Sequence, residues 1–260
     1  MNMEFKRKLP APQTVKDMYP VTEKMARQKQ ENDRQIQTVI TGEDQRLMLL
    51  IGPCSADRED AVLEYAARLQ ALQERVKDKL LIVPRVYSNK PRTTGDGYKG
   101  MLHQPDPNGQ PDILKGLIAI RKIHMKVLEQ TGLSSADELL YPENYYYLSD
   151  ILSYAAIGAR SVEDQQHRLI ASGLDVPVGM KNPTSGDLSV MMNAILAAQH
   201  PHTFLFSQFV SSRGSLLRSR FSALKYSTLR RFKASANTYN APCNLRRFLA
   251  ILTNIQIDAP

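Results

Sequence analysis

The stretch Leu81–Gly100, LIVPRVYSNKPRTTGDGYKG, changes character in its middle. Its first residues belong to the apolar run Leu80–Val83, which is typical of a strand buried on both faces. Cations and hydroxyls follow at once among turn residues: Arg85, Lys90, Arg92, Thr93 and Thr94. Because parallel sheets and barrels bind ligands at the carboxyl ends of their strands, these side chains predict a site for a small phosphorylated acid. Taken alone, the loop could also be a solvated basic loop.

Three other apolar runs end in a thiol or a cation, which argues against that alternative. The run Leu47–Ile51 leads to Cys54, and two later runs end at Arg160 and at Lys181. Helical patterns separate the runs, and strands that alternate with helices form βαβ units with a parallel sheet. No Gly-x-Gly-x-x-Gly follows the first strand, so a Rossmann dinucleotide site is disfavoured. We therefore predict an α/β fold of the (β/α)8 TIM barrel family, of which about five and a half βα units are present.

The alternation also gives approximate bounds for each element. Strands are predicted at 47–51, at 80–86, within 133–140, at 155–160 and at 177–181, and a sixth begins at 202–206. Helices are predicted at 21–39, 57–76, 113–130, 143–153, 162–172 and 187–199. Gly132 is expected to close the helix at 113–130, and Ser161 to cap the one at 162–172.

Composition limits the class of protein. With 260 residues, 42% of them hydrophobic, the chain suits one large α/β domain. No run approaches the ~18 apolar residues of a membrane span, and the amino terminus lacks the apolar core of a signal peptide, so we expect a cytoplasmic protein without a membrane partner. The two cysteines, Cys54 and Cys243, lie far apart in sequence, so Cys54 is expected to be a free thiol.

The net charge of +8 is unevenly distributed. Residues 207–260 contain nine basic residues and one acidic residue, whereas the rest of the chain is balanced. We therefore divide the chain into a polar extension at 1–45, a partial barrel at 46–206 and a basic, serine-rich tail at 207–260. The extension either packs on the barrel or on a second subunit, or is a frayed arm. The tail is a separate domain, a disordered segment, or sequence from a reading frame never selected to fold.

Four motifs together resemble type I 3-deoxy-D-arabino-heptulosonate 7-phosphate (DAHP) synthase from about residue 19 to residue 204. They are IGPCS at 51–55, RVYSNKPRTTGDGYKG at 85–100, AAIGARSVEDQQHR at 155–168 and PVGMKNPTSG at 177–186. The resemblance implies a TIM barrel that uses a divalent metal (Mn, Fe, Co or Zn) to condense phosphoenolpyruvate with erythrose 4-phosphate, the first step of the shikimate pathway. It also implies a homo-oligomer and feedback inhibition by an aromatic amino acid through the amino-terminal extension.

The resemblance further implies a role for each matching residue. Arg85 and Lys181 would hold the carboxylate of phosphoenolpyruvate, and Arg160 and Lys181 its phosphate. Lys90 would lie against the reacting centre as the catalytic residue, Arg92 and Thr93 would bind the phosphate of erythrose 4-phosphate, and Cys54 would be one metal ligand. Two phosphorylated anions brought together do need clustered cations.

The resemblance breaks after Phe206. The family's third phosphate-binding arginine, in an Arg-Gly-Gly turn, and its His, Glu and Asp metal ligands have no counterpart there. A single thiolate cannot hold a catalytic divalent ion, so we expect this chain not to bind the metal. Our hypothesis is that residues 207–260 come from a truncated or frameshifted gene copy and that the chain is inactive.

Two other functions stay open. The first is a nonenzymatic binding module that keeps a phosphate pocket from Arg85, Arg92, Arg160 and Lys181. The second is nucleic-acid binding by the basic tail, which we do not favour because an out-of-frame segment gives the same composition. His124 and the run Tyr145–Tyr147 are interpreted as packing residues.

Overall fold

The computed structural model describes residues 9–92 and 95–200. The helices are α1 (Pro12–Met18), α2 (Glu23–Thr41), α3 (Glu59–Val76), α4 (Ile113–Thr131), α5 (Tyr145–Leu148), α6 (Gln165–Ala171) and α7 (Leu188–Gln199). The strands are β1 (Leu47–Ile51), β2 (Leu80–Pro84), β3 (Ala136–Glu138), β4 (Tyr154–Ile157) and β5 (Val178–Met180), and a 3-10 turn spans Pro142–Asn144. The predicted sixth strand and the tail at 207–260 lie outside the described residues.

All strand pairs in the described part of the chain are parallel. β1 pairs with β2, and β4 lies between β3 and β5. A bridge from Arg85 to Ala136 joins the two groups, and there the Val86 amide donates to the Ala136 carbonyl at 2.9 Å. The strands therefore follow one another in chain order with all carboxyl ends at one edge. This confirms the predicted parallel α/β fold, although residues 9–92 and 95–200 do not form a closed barrel.

Helices α2, α3 and α7 pack against the strands, and α4 packs against α2, α3 and α5. α4 begins at Asp112, whose side chain accepts from the Lys115 amide at 3.0 Å, and ends at Gly132 in the left-handed region with φ 70°. Its buried face contributes Leu117, Ile120 and other apolar residues to the main core cluster. No helix among the described residues is long and apolar enough to cross a bilayer.

Two helix predictions need correction. The helix predicted from residue 162 begins at Gln165, and its cap is Asp164, which accepts from the His167 amide at 3.2 Å. Ser161 instead belongs to a turn, in which its amide donates to the Gly158 carbonyl at 3.0 Å. The helix predicted at 143–153 is also too long, because residues 142–144 form a 3-10 turn and α5 spans only Tyr145–Leu148.

The described part of the amino-terminal extension packs on the barrel residues. Its predicted helix is α2, and the shorter α1 was not predicted. Arg121 of α4 is fully buried and donates to the Tyr19 carbonyl at 2.7 and 3.0 Å and to both carboxylate oxygens of Asp150 at 2.8 Å. Val15 of α1 is also fully buried. Over residues 9–45 the extension is therefore a packed element and not a frayed arm.

Candidate functional site

Each of the five strands delivers a residue of interest to the carboxyl edge of the sheet. Gly52, Arg85 and Lys181 directly follow β1, β2 and β5, Glu138 is the last residue of β3, and Arg160 lies three residues beyond β4. Parallel strands place such residues side by side, which is why local sequence could predict the cluster.

Arg85 is held toward the end of β1. Its Nε donates to the Pro53 carbonyl at 3.1 Å, and its Nη2 donates to the carbonyls of Gly52 and Pro53 at 3.0 Å each. Gly52 permits this approach, since a methyl carbon added to it would lie 2.2 Å from the Arg85 carbonyl oxygen. The guanidinium is therefore fixed beside the turn that carries Cys54.

A buried tyrosine ring brings Arg85 and Lys181 together. The guanidinium carbon of Arg85 lies 4.9 Å from the centroid of the Tyr87 ring, and the Lys181 Nζ lies 5.0 Å from it. Both distances allow cation–π attraction. Burial raises the pKa of Tyr87, with a further contribution from the charge of Glu138, so the phenol stays neutral at pH 7. Tyr87 was not among the residues predicted from the sequence, although its place after a predicted strand was a usable signal.

Glu138 is the second residue that the sequence analysis left without a role. Its Oε1 lies 3.9 Å from the Lys181 Nζ. Burial raises the pKa of this carboxyl, while the charges of Lys181, Arg85 and Arg160 oppose the rise. Glu138 thus shares one electrostatic environment with the three cations assigned to phosphoenolpyruvate. A carboxylate at the end of the predicted third strand was the available signal.

Lys90 and Cys54 form a second contact at the same edge. The loop after β2 folds back through a bridge between Asn89 and Gly100, and the Lys90 amide donates to the Lys99 carbonyl at 3.1 Å. This turn places the Lys90 Nζ 2.6 Å from the Cys54 Sγ. Cys54 is exposed and free, as predicted.

The contacts described above do not include the two residues predicted to bind erythrose 4-phosphate, Arg92 and Thr93. Arg92 is exposed, and its Nε donates to the Tyr98 carbonyl at 2.8 Å within its own loop. Thr93 lies outside the described residues. Their predicted role stays a prediction.

The described residues do not fit a divalent metal ion. No group of three His, Cys, Asp or Glu residues in ranges 9–92 and 95–200 has the arrangement of a metal site. Three of the histidines have other partners: His103 contacts Tyr141, His167 contacts Asp164, and His124 is fully buried. Cys54 alone falls short of the three or so protein ligands that such an ion needs.

The described residues thus form an α/β protein whose parallel strands have cations at their carboxyl edge, the edge where such sheets bind ligands. The chain belongs to the DAHP synthetase I family, which matches residues 19–236. The match begins where the resemblance begins and extends beyond the break that we place after Phe206, so that boundary stays a prediction.

Named relatives agree with the family. The chain is 42% identical over 197 residues to the Tyr-sensitive phospho-2-dehydro-3-deoxyheptonate aldolase of Escherichia coli (strain K12), covering 76% of this chain and 55% of that protein. It is 44% identical over 202 residues to the Phe-sensitive protein of the same organism, covering 78% of this chain and 57% of that protein. A solved structure of the aldolase from Francisella tularensis SCHU S4 matches with a TM-score of 0.74 and 33% identity, covering 78% of this chain and 59% of that one. The chain thus spans just over half the length of these relatives.

Proposed function

We propose that the chain carries the phosphoenolpyruvate site of a DAHP synthase, the enzyme that condenses phosphoenolpyruvate with erythrose 4-phosphate and releases phosphate. The observation that carries the proposal is geometric: Arg85 and Lys181 lie over the same Tyr87 ring, Lys181 lies 3.9 Å from Glu138, and Arg160 follows the neighbouring strand β4. In this proposal the described strands are five of the eight strands of a TIM barrel. Because the chain spans just over half of its relatives, the activity of the whole protein is part of the proposal.

The three cations suit the charges of the ligand. Phosphoenolpyruvate carries a carboxylate and a phosphate, and arginine offers forked hydrogen bonds to either group. Arg85 and Lys181, which share the Tyr87 ring, would hold the carboxylate, while Arg160 and Lys181 would hold the phosphate. The ammonium of Lys90 would face the aldehyde oxygen of the second substrate, which gains negative charge as the enol carbon attacks. Arg92 and Thr93 would bind the phosphate of that substrate.

A specific observation supports the nonenzymatic binding module as a second candidate. Among the described residues, Cys54 is not part of any group of three potential metal ligands. If residues outside the described ranges supply no further ligand, the chain would bind phosphoenolpyruvate without condensing it; we derive no step through a metal.

Isothermal titration calorimetry with phosphoenolpyruvate tests the site. Arg160→Ala should weaken binding about tenfold or more, because hydrogen bonds to charged groups contribute about 1.5–3 kcal/mol and 1.4 kcal/mol is a factor of ten. Arg75→Ala removes an exposed arginine on α3 and is the matched control. Equal affinities in the wild type and Arg160→Ala, or no binding by the wild type, would refute the site. Turnover with erythrose 4-phosphate and added Mn²⁺ would favour the enzyme over the binding module.

The inhibitor, the oligomeric state and the location are also proposals. Relatives named Tyr-sensitive and Trp-sensitive are each 42% identical to the chain, and a Phe-sensitive one is 44% identical, so identity does not choose the inhibitor. We propose an aromatic amino acid as inhibitor, a homo-oligomer and a cytoplasmic location.

A further inference from the structure

A buried polar network lies directly behind the cation cluster. It consists of Ser88, His124, Ser135 and Asp137, none of which is more than 3% exposed. Burying polar groups costs free energy unless they are hydrogen-bonded, so we expect each of these four side chains to have a hydrogen-bond partner. We call these four residues the Asp137 network.

The carboxylate of Asp137 accepts from four donors. Its Oδ1 accepts from the backbone amides of Ser88 at 2.9 Å and Glu138 at 2.7 Å. Its Oδ2 accepts from the Ser88 hydroxyl at 2.5 Å and lies 3.3 Å from the His124 Nε2. An ionised carboxylate has about four acceptor positions, so all of them are used.

These contacts replace the backbone ladder between β2 and β3. The two strands meet at the Arg85–Ala136 bridge, and beyond it the Ser88 amide bonds to a side chain where a backbone carbonyl would ordinarily accept. Ser88 directly follows Tyr87, whose ring lies near Arg85 and Lys181, and Asp137 directly precedes Glu138, which lies 3.9 Å from Lys181. Asp137 therefore bonds to the backbone immediately after Tyr87 and to the amide of Glu138, and so links these two positions.

We propose that Asp137 and His124 are positioning residues for the phosphoenolpyruvate site, with Asp137 setting the spacing of Tyr87 and Glu138, and His124 holding Asp137 from α4. The part that concerns ligand binding rests on the proposed function. The placement of Glu138 does not, and it can be measured without ligand.

The network also assigns the tautomer of His124. If Asp137 accepts all four of these hydrogen bonds, the His124 Nε2 carries the hydrogen of their contact. The Nδ1 lies 2.6 Å from the Ser135 hydroxyl and accepts its hydrogen in the neutral ring. In Asp137→Asn the amide nitrogen would face the Nε2 in place of Oδ2, and the tautomer should reverse to Nδ1–H.

Nitrogen-15 spectra of the imidazole rings in the 260-residue chain test this assignment. The chain has five histidines, and the signals lost in His124→Gln identify His124. We expect Nε2–H in the wild type and Nδ1–H in Asp137→Asn. An Nδ1–H ring in the wild type would overturn the network as described.

The placement of Glu138 is tested by carbon-13 titration of its carboxyl group. His124→Leu keeps the charge of Asp137 and removes its Nε2–H donor. If Asp137 then shifts and Glu138 gains water, the pKa of Glu138 falls toward its ordinary value, since burial is the main reason that it is raised. An unchanged pKa would overturn the positioning role, whether or not the chain binds phosphoenolpyruvate.

Ligand affinity provides the last test. Asp137→Ala should weaken phosphoenolpyruvate binding at least tenfold in a folded chain. Asp150→Ala, which removes a carboxylate that accepts two hydrogen bonds from Arg121, should change the affinity less than twofold. Wild-type affinity in Asp137→Ala would overturn the inference. A wild type that does not bind would refute the proposed function instead, and the Glu138 titration would then decide the positioning role.

Discussion

Replacing Gly52 with alanine tests whether the close approach of β1 and β2 holds Arg85 in place. The added methyl carbon would lie 2.2 Å from the Arg85 carbonyl oxygen, whereas real contacts of this kind begin at 3.0 Å. The two strand ends must therefore separate by 3.0 − 2.2 = 0.8 Å. The same shift would stretch the bond from the Arg85 amide to the Ile51 carbonyl, now 2.9 Å, to roughly 3.7 Å, which no longer counts as a hydrogen bond.

The expected loss of stability follows from these two effects. Overpacking costs about 1–3 kcal/mol, and a lost backbone hydrogen bond costs about 0.5–1.5 kcal/mol, so the free energy of unfolding should fall by about 1.5–4.5 kcal/mol. Gly109→Ala is the matched control, because its methyl carbon would approach only the side chain of Asp106, at 3.1 Å or more. Neither glycine has a positive φ, so both substitutions act through contacts alone. The control should stay within about 0.5 kcal/mol of the wild type.

Urea unfolding followed by circular dichroism measures both variants. Gly52→Ala should also weaken phosphoenolpyruvate binding about tenfold, because the Arg85 guanidinium is anchored to the carbonyls that move. If Gly52→Ala unfolds at the same urea concentration as Gly109→Ala, the strand ends are not in the close contact described, and the argument for Arg85 fails with it.

Two further predictions concern buried charges. Arg121→Met should lower the free energy of unfolding by about 3–5 kcal/mol, since it leaves Asp150 and the Tyr19 carbonyl without their donor; a loss under about 1 kcal/mol in urea titrations would contradict this. Glu138→Gln removes a carboxyl group whose pKa is raised above 4.5 in the folded state, mainly by burial. The unfolded chain therefore loses this proton at a lower pH than the folded chain. As a result, the wild type loses stability as the pH rises from about 4.5 through the raised pKa of Glu138. Relative to the wild type, Glu138→Gln should therefore gain stability near pH 7 but not below about pH 4, and the same difference at both pH values would contradict the assignment.

The parts of the fold and site that the sequence predicted are those fixed by short-range pattern. The apolar run Leu47–Ile51 is β1 with the same bounds, although in the described structure only Met48 of this strand is buried. Arg85, Arg160 and Lys181 were found in the same way, since each follows such a run. The structure places all three at the carboxyl ends of parallel strands, and their role in binding a ligand stays a prediction.

The parts that the sequence did not predict depend on contacts between distant residues. Asp137 meets Ser88, which is 49 positions away, and His124 meets Asp137 only because α4 packs behind β3. Arg121 occupies a core position on α4, and its partners come from the extension and from the region after α5. A charged or imidazole side chain on the apolar face of a helix indicates that a buried polar partner is needed. The sequence does not show which residue that partner is.

Arg85 and Lys181 have only weak partners in this structure, and this affects which ligands the site can bind. Arg85 is bonded to two neutral carbonyls and lies near a tyrosine ring, while Lys181 has the same ring and a carboxylate at 3.9 Å. Phosphate and carboxylate oxygens make stronger, charge-assisted bonds than any of these, so an anion can displace them with a net gain. An uncharged analogue of the same shape has no such gain and would leave Glu138 facing Lys181. The cluster should therefore select for ligand charge before ligand shape, as the proposed substrate requires.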